Sequence, residues 1–229
     1  MIKYLTLDWK HISDEAVDKA YIDLLNSDAS FTVIKVNKKN HILTKEGSFF
    51  ETDNLEGFIK EANNDIYFKT VECDNGDYSK EDLALYFRYL NKHKERMTRK
   101  YGDKYLLGSV AVRTKGDKII TTIRGKENFN EFTIISTVDY ANNTVYICGK
   151  KATLNAPLLF NLFKNNDVKA IVHINHQYDD ESPFLPYAFP GTVKDSLRDA
   201  KESFNISHHG LFWLFDDKGN IIRSSKNGN

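Results

Sequence analysis

Four of the chain's seven histidines lie between positions 173 and 209, in two groups, His173-Ile174-Asn175-His176 and His208-His209-Gly210. The first group ends an apolar run, Val168-Lys169-Ala170-Ile171-Val172, that reads as a buried strand. The second stands before Leu211-Phe212-Trp213-Leu214-Phe215, another strand-like run. Imidazoles gathered at strand ends from two separate segments are one way to build a divalent-metal site. The plainer reading of His173 is a hydrogen-bonded core histidine, and of His208 a packing residue. His11, His41 and His93 are expected at the surface, Trp9 and Trp213 in the core, and Arg113 in a structural salt bridge.

Other elements must bring the two groups together. Residues 2–8 alternate loosely as a strand. Ser13 is expected to cap an amphipathic helix burying Ala16, Val17, Ala20, Tyr21, Leu24 and Leu25. Strands follow over 30–36, 41–43 and 48–50, the last two flanking a turn at Glu46-Gly47. Asp53 is placed to cap a short helix through Leu55, Phe58, Ile59 and Ala62, and 65–72 reads as a strand. The turn-rich Cys73-Asp74-Asn75-Gly76-Asp77 segment marks a boundary between a small α/β unit, 1–77, and a larger unit, 78–229. Ser79-Lys80-Glu81-Asp82 opens a helix in capping-box fashion, and its basic end, 92–100, reads as a solvated face. Strands are expected over 105–114, 118–123, 131–138 and 144–148, then a helix over 154–163 and the strand into His173. A helix capped by Thr192 and running through Leu197 and Ala200, and a hairpin turn at 216–220, complete the pattern.

Composition narrows the classes. Of 229 residues, 41% are hydrophobic and 13% aromatic, enough for a sizeable core. The net charge is zero, so the basic excess that favours nucleic acid or an anionic membrane is absent. No apolar run has the length of a membrane span, and Met1-Ile2-Lys3-Tyr4-Leu5 lacks the apolar core of a secretion signal. Cys73 and Cys148 show neither disulfide-framework nor metal spacing. These features predict a cytoplasmic protein with buried, reduced thiols, no nucleic-acid partner and no membrane partner.

Over residues 105–215 several segments resemble the class II aldolase/adducin family. Gly108-Ser109-Val110-Ala111-Val112-Arg113 resembles its Gly-Asn-(Val/Ile)-Ser-x-Arg segment, and Ile119-Ile120-Thr121-Thr122-Ile123-Arg124-Gly125 its Ile-Thr-Pro-(Ser/Thr)-Gly phosphate loop. Lys151-Ala152-Thr153-Leu154 falls where the family has Pro-Ser-Ser-Glu. Asp167 to His173 resembles the Asp-x-x-Ala-Val-Val-His strand that opens its His-x-His motif. Leu185 to Thr192 resembles the Pro-Tyr-x-x-x-Gly-(Ser/Thr) turn, and His208-His209-Gly210-Leu211 the (Asn/His)-His-Gly-Leu motif. The common order makes the set more specific than any one segment.

The resemblance implies an α/β fold: a three-layer α/β/α domain around a central, mostly antiparallel sheet, here preceded by the small α/β N-terminal unit. It implies a homo-oligomer, a divalent cation (zinc as a rule) and a phosphorylated small-molecule substrate. Carried onto this chain, His173, His209 and either His176 or Asn175 hold the cation. Ser109, Arg124, Gly125 and Thr153 hold the anionic group, with Lys126 and Lys151 nearby. The family's metal acts as a Lewis acid that stabilises an enediolate. Three departures stand out. Asn175 occupies the second His-x-His position, and a bulge would be needed for His176 to substitute. Leu154 replaces the aldolases' glutamate base, which leaves the base unassigned, with Asp179, Asp180 and Glu181 as loop carboxylates near the motif. Lys151-Ala152-Thr153 keeps one hydroxyl where the family has two.

Two functions compete. One is a metal-dependent lyase (aldolase-like) or isomerase acting on a phosphorylated sugar or related hydroxy-carbonyl compound in carbohydrate metabolism. A variant of it is a diverged enzyme whose chemistry has moved to other residues. The other is a non-catalytic, adducin-like binding or assembly module that has lost the metal site and base. A concave polar pocket favours the enzyme, and a large exposed apolar face favours the module.

Overall fold

The computed structural model describes residues 2–74, 76–97, 100–101, 105–176 and 181–223. In chain order the elements are β1 (Tyr4–Trp9), α1 (Asp14–Leu25), β2 (Phe31–Val36), β3 (Lys39–Thr44), β4 (Phe49–Thr52), α2 (Leu55–Asn64), β5 (Lys69–Glu72) and α3 (Lys80–Met97). Then come β6 (Lys100–Tyr101), β7 (Tyr105–Leu106), β8 (Ser109–Arg113), β9 (Ile119–Thr122), β10 (Phe132–Asp139), β11 (Thr144–Cys148) and α4 (Ala156–Leu162). The last are β12 (Ala170–Ile174), β13 (Phe184–Leu185), α5 (Val193–Ser196), β14 (Phe204–Ile206) and β15 (Gly210–Phe215). This is a mixed α/β protein. Among the described residues no helix is long and apolar enough to cross a membrane.

Nine strands form the large sheet, in the order β13-β14-β15-β12-β8-β9-β10-β11-β5. Its pairings are antiparallel except β13 with β14 and β11 with β5. Strand alternation divides its residues between two faces. Tyr86, Leu90 and Met97 of α3 pack on Val110, Val172 and Trp213. On the other face Leu158, Leu159 and Leu162 of α4 meet Ala111, Ile171 and Leu214. His173 belongs to this second face, opposite Phe212 in the β12–β15 register.

The four-stranded sheet β1-β2-β3-β4 is the smaller layer. Helix α1 covers one side, where Val17, Tyr21 and Leu24 pack on Ile34 and Leu43. Helix α2 covers the other, beside Phe31, Val33 and Ile42. The two sheets share side chains: Leu107 enters the α1 cluster and Phe189 the α2 cluster. Strand β5 precedes the polar 73–77 segment in the chain and already pairs with β11 of the large sheet.

Several local expectations are corrected. The cap of α2 is Asn54, not Asp53: its side chain accepts from the Gly57 N–H at 2.9 Å. The strand foreseen over 65–72 is confined to Lys69–Glu72, and the Thr192-capped helix is a single turn that stops before the exposed Leu197. His93 is buried, packed beside Trp213 and Phe215, because it falls on the apolar stripe of α3 rather than on the basic face. His41 is also buried, stacked on Phe49. Trp9 is only partly buried, whereas Trp213 is in the core. Arg113 is structural through neutral acceptors, Asn166 Oδ1 and the Asn165 carbonyl, both at 3.0 Å. Cys73 and Cys148 are half-buried, with their sulfurs 2.9 Å apart.

The capping box of α3 forms as foreseen. Asp82 Oδ2 accepts from the Ser79 N–H at 3.0 Å, and Ser79 Oγ accepts from the Asp82 N–H at 3.1 Å. Asp82 Oδ1 also accepts from the Lys115 N–H, tying α3 to the β8–β9 turn. Asp82→Ala is expected to cost about 1–2 kcal/mol, lowering the Tm by a few degrees in a thermal melt.

Candidate active site

His173 and His209 converge. Their ring centroids are 4.7 Å apart, and each residue is 2% exposed. The convergence follows from local chemistry. His173 lies in the β12 stretch, where Ile171 and His173 share one face, and its ring stacks on Phe212 of β15 at 4.2 Å. His209 is set one residue before β15 by a tight approach. His208 has φ 62° and Gly210 φ 127°, and a Cβ on Gly210 would lie 2.0 Å from the Ile174 carbonyl oxygen. Only glycine allows the His208–Gly210 turn to sit this close to the end of β12.

The two imidazoles line a cavity of about 410 Å3, and Arg124, Gly125 and Thr153 line it with them. The Ile123–Ala152 bridge holds the two loops side by side, and the Arg124 N–H donates to the Lys151 carbonyl at 2.9 Å. Gly125 has φ 63°, and a Cβ there would meet nothing within 4 Å. Its backbone therefore faces open space, as an anion-accepting loop requires. Ser109 does not line this cavity. It is buried on β8 opposite His173, with its hydroxyl lacking a partner among the described residues. His176 is exposed and is not part of the cavity wall. Asn175 is, and its Nδ2 donates to the Glu46 carbonyl at 2.9 Å. His208 is a packing residue, stacked on Phe50 at 4.5 Å.

The sequence reading missed what closes the other side of the cavity. The β3–β4 turn of the small sheet carries Lys45 and Glu46 into the wall. Glu46 Oε1 accepts from the Tyr187 hydroxyl at 2.7 Å. Burial pushes the Glu46 carboxyl above its ordinary range, against the pull of that hydrogen bond. Glu46 thus supplies a carboxylate where Leu154, also in the wall, does not. Asp179 and Asp180 lie outside the described residues, and Glu181 is exposed. Lys45 Nζ donates to the Ser27 carbonyl at 3.0 Å. Burial pushes its ammonium down; Asp28, which is also in the wall and pairs with Lys3, opposes this, and the charge of Arg124 adds to it.

Lys126 was foreseen as a loop cation and is instead buried, 5% exposed, in the same wall. Burial pulls its ammonium down to about 7. The two imidazoles are neutral. His173 is held well below its usual range by burial first, then by the charges of His209 and Lys126. Burial, with a contribution from Arg198, brings His209 down to about 3. Asn155 Nδ2 lies 3.3 Å from His173 Nδ1; the amide donates, so the ring proton sits on Nε2. His173 Nε2 and both His209 ring nitrogens have no hydrogen-bond partner among the described residues. Buried polar atoms in that condition are costly unless something else satisfies them.

The expected three-histidine cation site is not assembled among the described residues. Among the described residues no three His, Cys, Asp or Glu side chains converge as metal ligands. Two imidazoles fall short of the three protein ligands a catalytic zinc takes, and a dication there would share the cavity with the Lys126 ammonium. The donor set among the described residues does not fit the ion.

No family model matches the sequence, and no curated protein matches it. Solved structures do. YgbL of Escherichia coli, a candidate aldolase/epimerase/decarboxylase, aligns at 15% identity over 59% of this chain and 80% of its own, with a TM-score of 0.43. An L-fuculose 1-phosphate aldolase aligns at 14% identity over 61% of this chain and 77% of its own, with a TM-score of 0.45. An l-fuculose-1-phosphate aldolase from Thermus thermophilus aligns at 14% identity over 64% and 83%, with a TM-score of 0.38.

Proposed function

We propose that this chain is a lyase or isomerase that removes or returns a proton beside the carbonyl of an anionic hydroxy-carbonyl compound, such as a sugar phosphate. One observation carries the reading: Glu46 reaches a cavity that also holds two neutral imidazoles with ring nitrogens unpartnered among the described residues and is lined by Lys45 and Arg124. Each part has a role. Lys45 and Arg124 are like charges close enough to disfavour one another, so an anion between them relieves both. The Gly125 backbone and Thr153 hydroxyl add neutral donors. His173 Nε2–H donates to a carbonyl or developing enolate oxygen. Glu46 takes the proton from the adjacent carbon. The binding-module reading has less support, because it has no use for a concave cavity on which charged side chains and imidazoles converge.

The test is hydrogen exchange. Dihydroxyacetone phosphate and a panel of tetrose and pentose phosphates are incubated with the protein in D2O and followed by proton NMR. Loss of the C–H signal beside the carbonyl of at least one compound is expected. A full panel that neither binds nor exchanges ends the proposal. Arg124→Ala and Lys45→Ala are each expected to weaken binding of the exchanging phosphate about tenfold, read as an increase in Kd by calorimetry. They should leave the unphosphorylated analogue's weak binding unchanged.

A further inference from the structure

We propose that Lys126 is a catalytic nucleophile that forms an imine with the substrate carbonyl, in the place where related chemistry would use a bound cation. The proposal rests on the functional reading above and deepens it. Its starting point is a mismatch. Chemistry beside a carbonyl needs an electron sink, and the two imidazoles alone do not complete a metal site. The same cavity wall contains an amine.

The geometry of Lys126 is unusual for a lysine. It follows the open Gly125 turn and is 5% exposed. Its main chain is fixed, because its carbonyl accepts from the Leu106 N–H at 3.0 Å. Its Nζ lies 5.8 Å from the centroid of the Phe129 ring. No carboxylate pairs with it among the described residues, and burial alone accounts for its lowered basicity. A structural lysine at this depth is ordinarily ion-paired. An unpaired one, desolvated in a cavity, is how a neutral, nucleophilic amine is made at physiological pH. Its charge acts on the His173 ring, so amine and imidazole belong to one site.

The chemistry balances without a further reagent. The Nζ lone pair adds to the carbonyl carbon, and the C=O π bond becomes a hydroxyl. That hydroxyl, whose proton comes from the amine, takes a second proton from protonated Glu46 and leaves as water. A C=N bond forms, with the remaining proton on nitrogen. Glu46, now a carboxylate, removes the proton from the neighbouring carbon, and the electron pair moves into the iminium. Return of the proton and addition of water release the product and the free amine.

The experiment uses the intact chain after dialysis against EDTA. Dihydroxyacetone phosphate, or whichever panel phosphate exchanges best, is added with sodium borohydride, and tryptic peptides are analysed by mass spectrometry. The expected result is a reduced substrate adduct on the peptide containing Lys126, with loss of exchange activity. Lys126→Met should give neither adduct nor exchange while keeping a cooperative melt. Exchange by the wild-type chain with no adduct overturns the imine and leaves the functional reading intact. So does exchange that appears only with added zinc. An adduct on Lys45 instead moves the nucleophile and overturns the assignment to Lys126. Absence of both exchange and adduct removes the functional reading itself.

Discussion

Glu46→Gln is expected to slow exchange of the proton beside the carbonyl by about 10²–10⁴-fold, the usual worth of a positioned general base. The substitution keeps size and leaves the Asn175 contact in place, because that bond is made to the Glu46 main-chain carbonyl. The Tyr187 hydroxyl can still donate to an amide oxygen, so the turn should hold its place. Binding of the phosphate should change little, since the cations that would hold it are Lys45 and Arg124. A fall in exchange with Kd unchanged is therefore the signature. An equal loss of binding and exchange would mean that Glu46 shapes the cavity rather than acting in it.

The pH dependence follows from the same carboxyl. Burial raises Glu46 above its ordinary range, so its basic form is depleted as pH falls through that raised midpoint. The exchange rate should climb with pH along a limb displaced upward from a normal carboxylate. Tyr187→Phe removes a hydrogen bond that favours the charged form, so the limb should move further up. In Glu46→Gln the limb should vanish. An exchange rate in the wild-type chain that is flat across the carboxylate range would assign the proton transfer to another group.

The site was half legible in the sequence, and the division has a physical reason. His173 sits in β12 and His209 stands one residue before β15, and the alternation and apolar runs of those strands are local signals, so their convergence was readable from order and spacing. Arg124 and Gly125 follow β9 of the same sheet, and the Ile123–Ala152 bridge sets Thr153 beside them. Glu46 was not readable as a site residue, although its turn was foreseen. It is 129 residues from Asn175, and the packing of one sheet against the other brings them together. Lys126 failed for a related reason. Lysine beside glycine in a loop is usually solvated, and burial is a property of the assembled cavity rather than of the loop. His93 is different, because its signal was present. Tyr86, Leu90, His93 and Met97 follow the helical stripe, and the basic neighbours at 92, 94 and 96 obscured it. The third imidazole was lost because β12 ends at Ile174 and His176 lies beyond it on the surface.

Gly210→Ala should be among the most damaging single-methyl changes in the chain. Gly210 combines two demands that separate elsewhere. Its φ of 127° lies where L side chains are strained, and its missing Cβ leaves room for backbone. A methyl there would fall 2.0 Å from the Ile174 oxygen, 2.9 Å from Asn175 Cα and 3.0 Å from the His176 nitrogen. No flexible side chain can swing aside, so β12 and β15 must separate at their ends. Strain and overpacking together put the cost at about 2–6 kcal/mol, a fall in Tm on the order of 10 °C for a chain of this length. Gly125→Ala is the informative control. It also has a positive φ, 63°, but an added methyl meets nothing within 4 Å. Only the left-handed backbone is penalised there, at about 1–2 kcal/mol. Because Gly210 adjoins His209 and presses on Asn175, its substitution should also move the imidazole pair and lose exchange in the fraction that remains folded. Gly125→Ala should keep most of its stability and lose mainly phosphate affinity. Equal melting temperatures for the two variants would show that the close approach of the His209 turn to β12 is not what fixes the site.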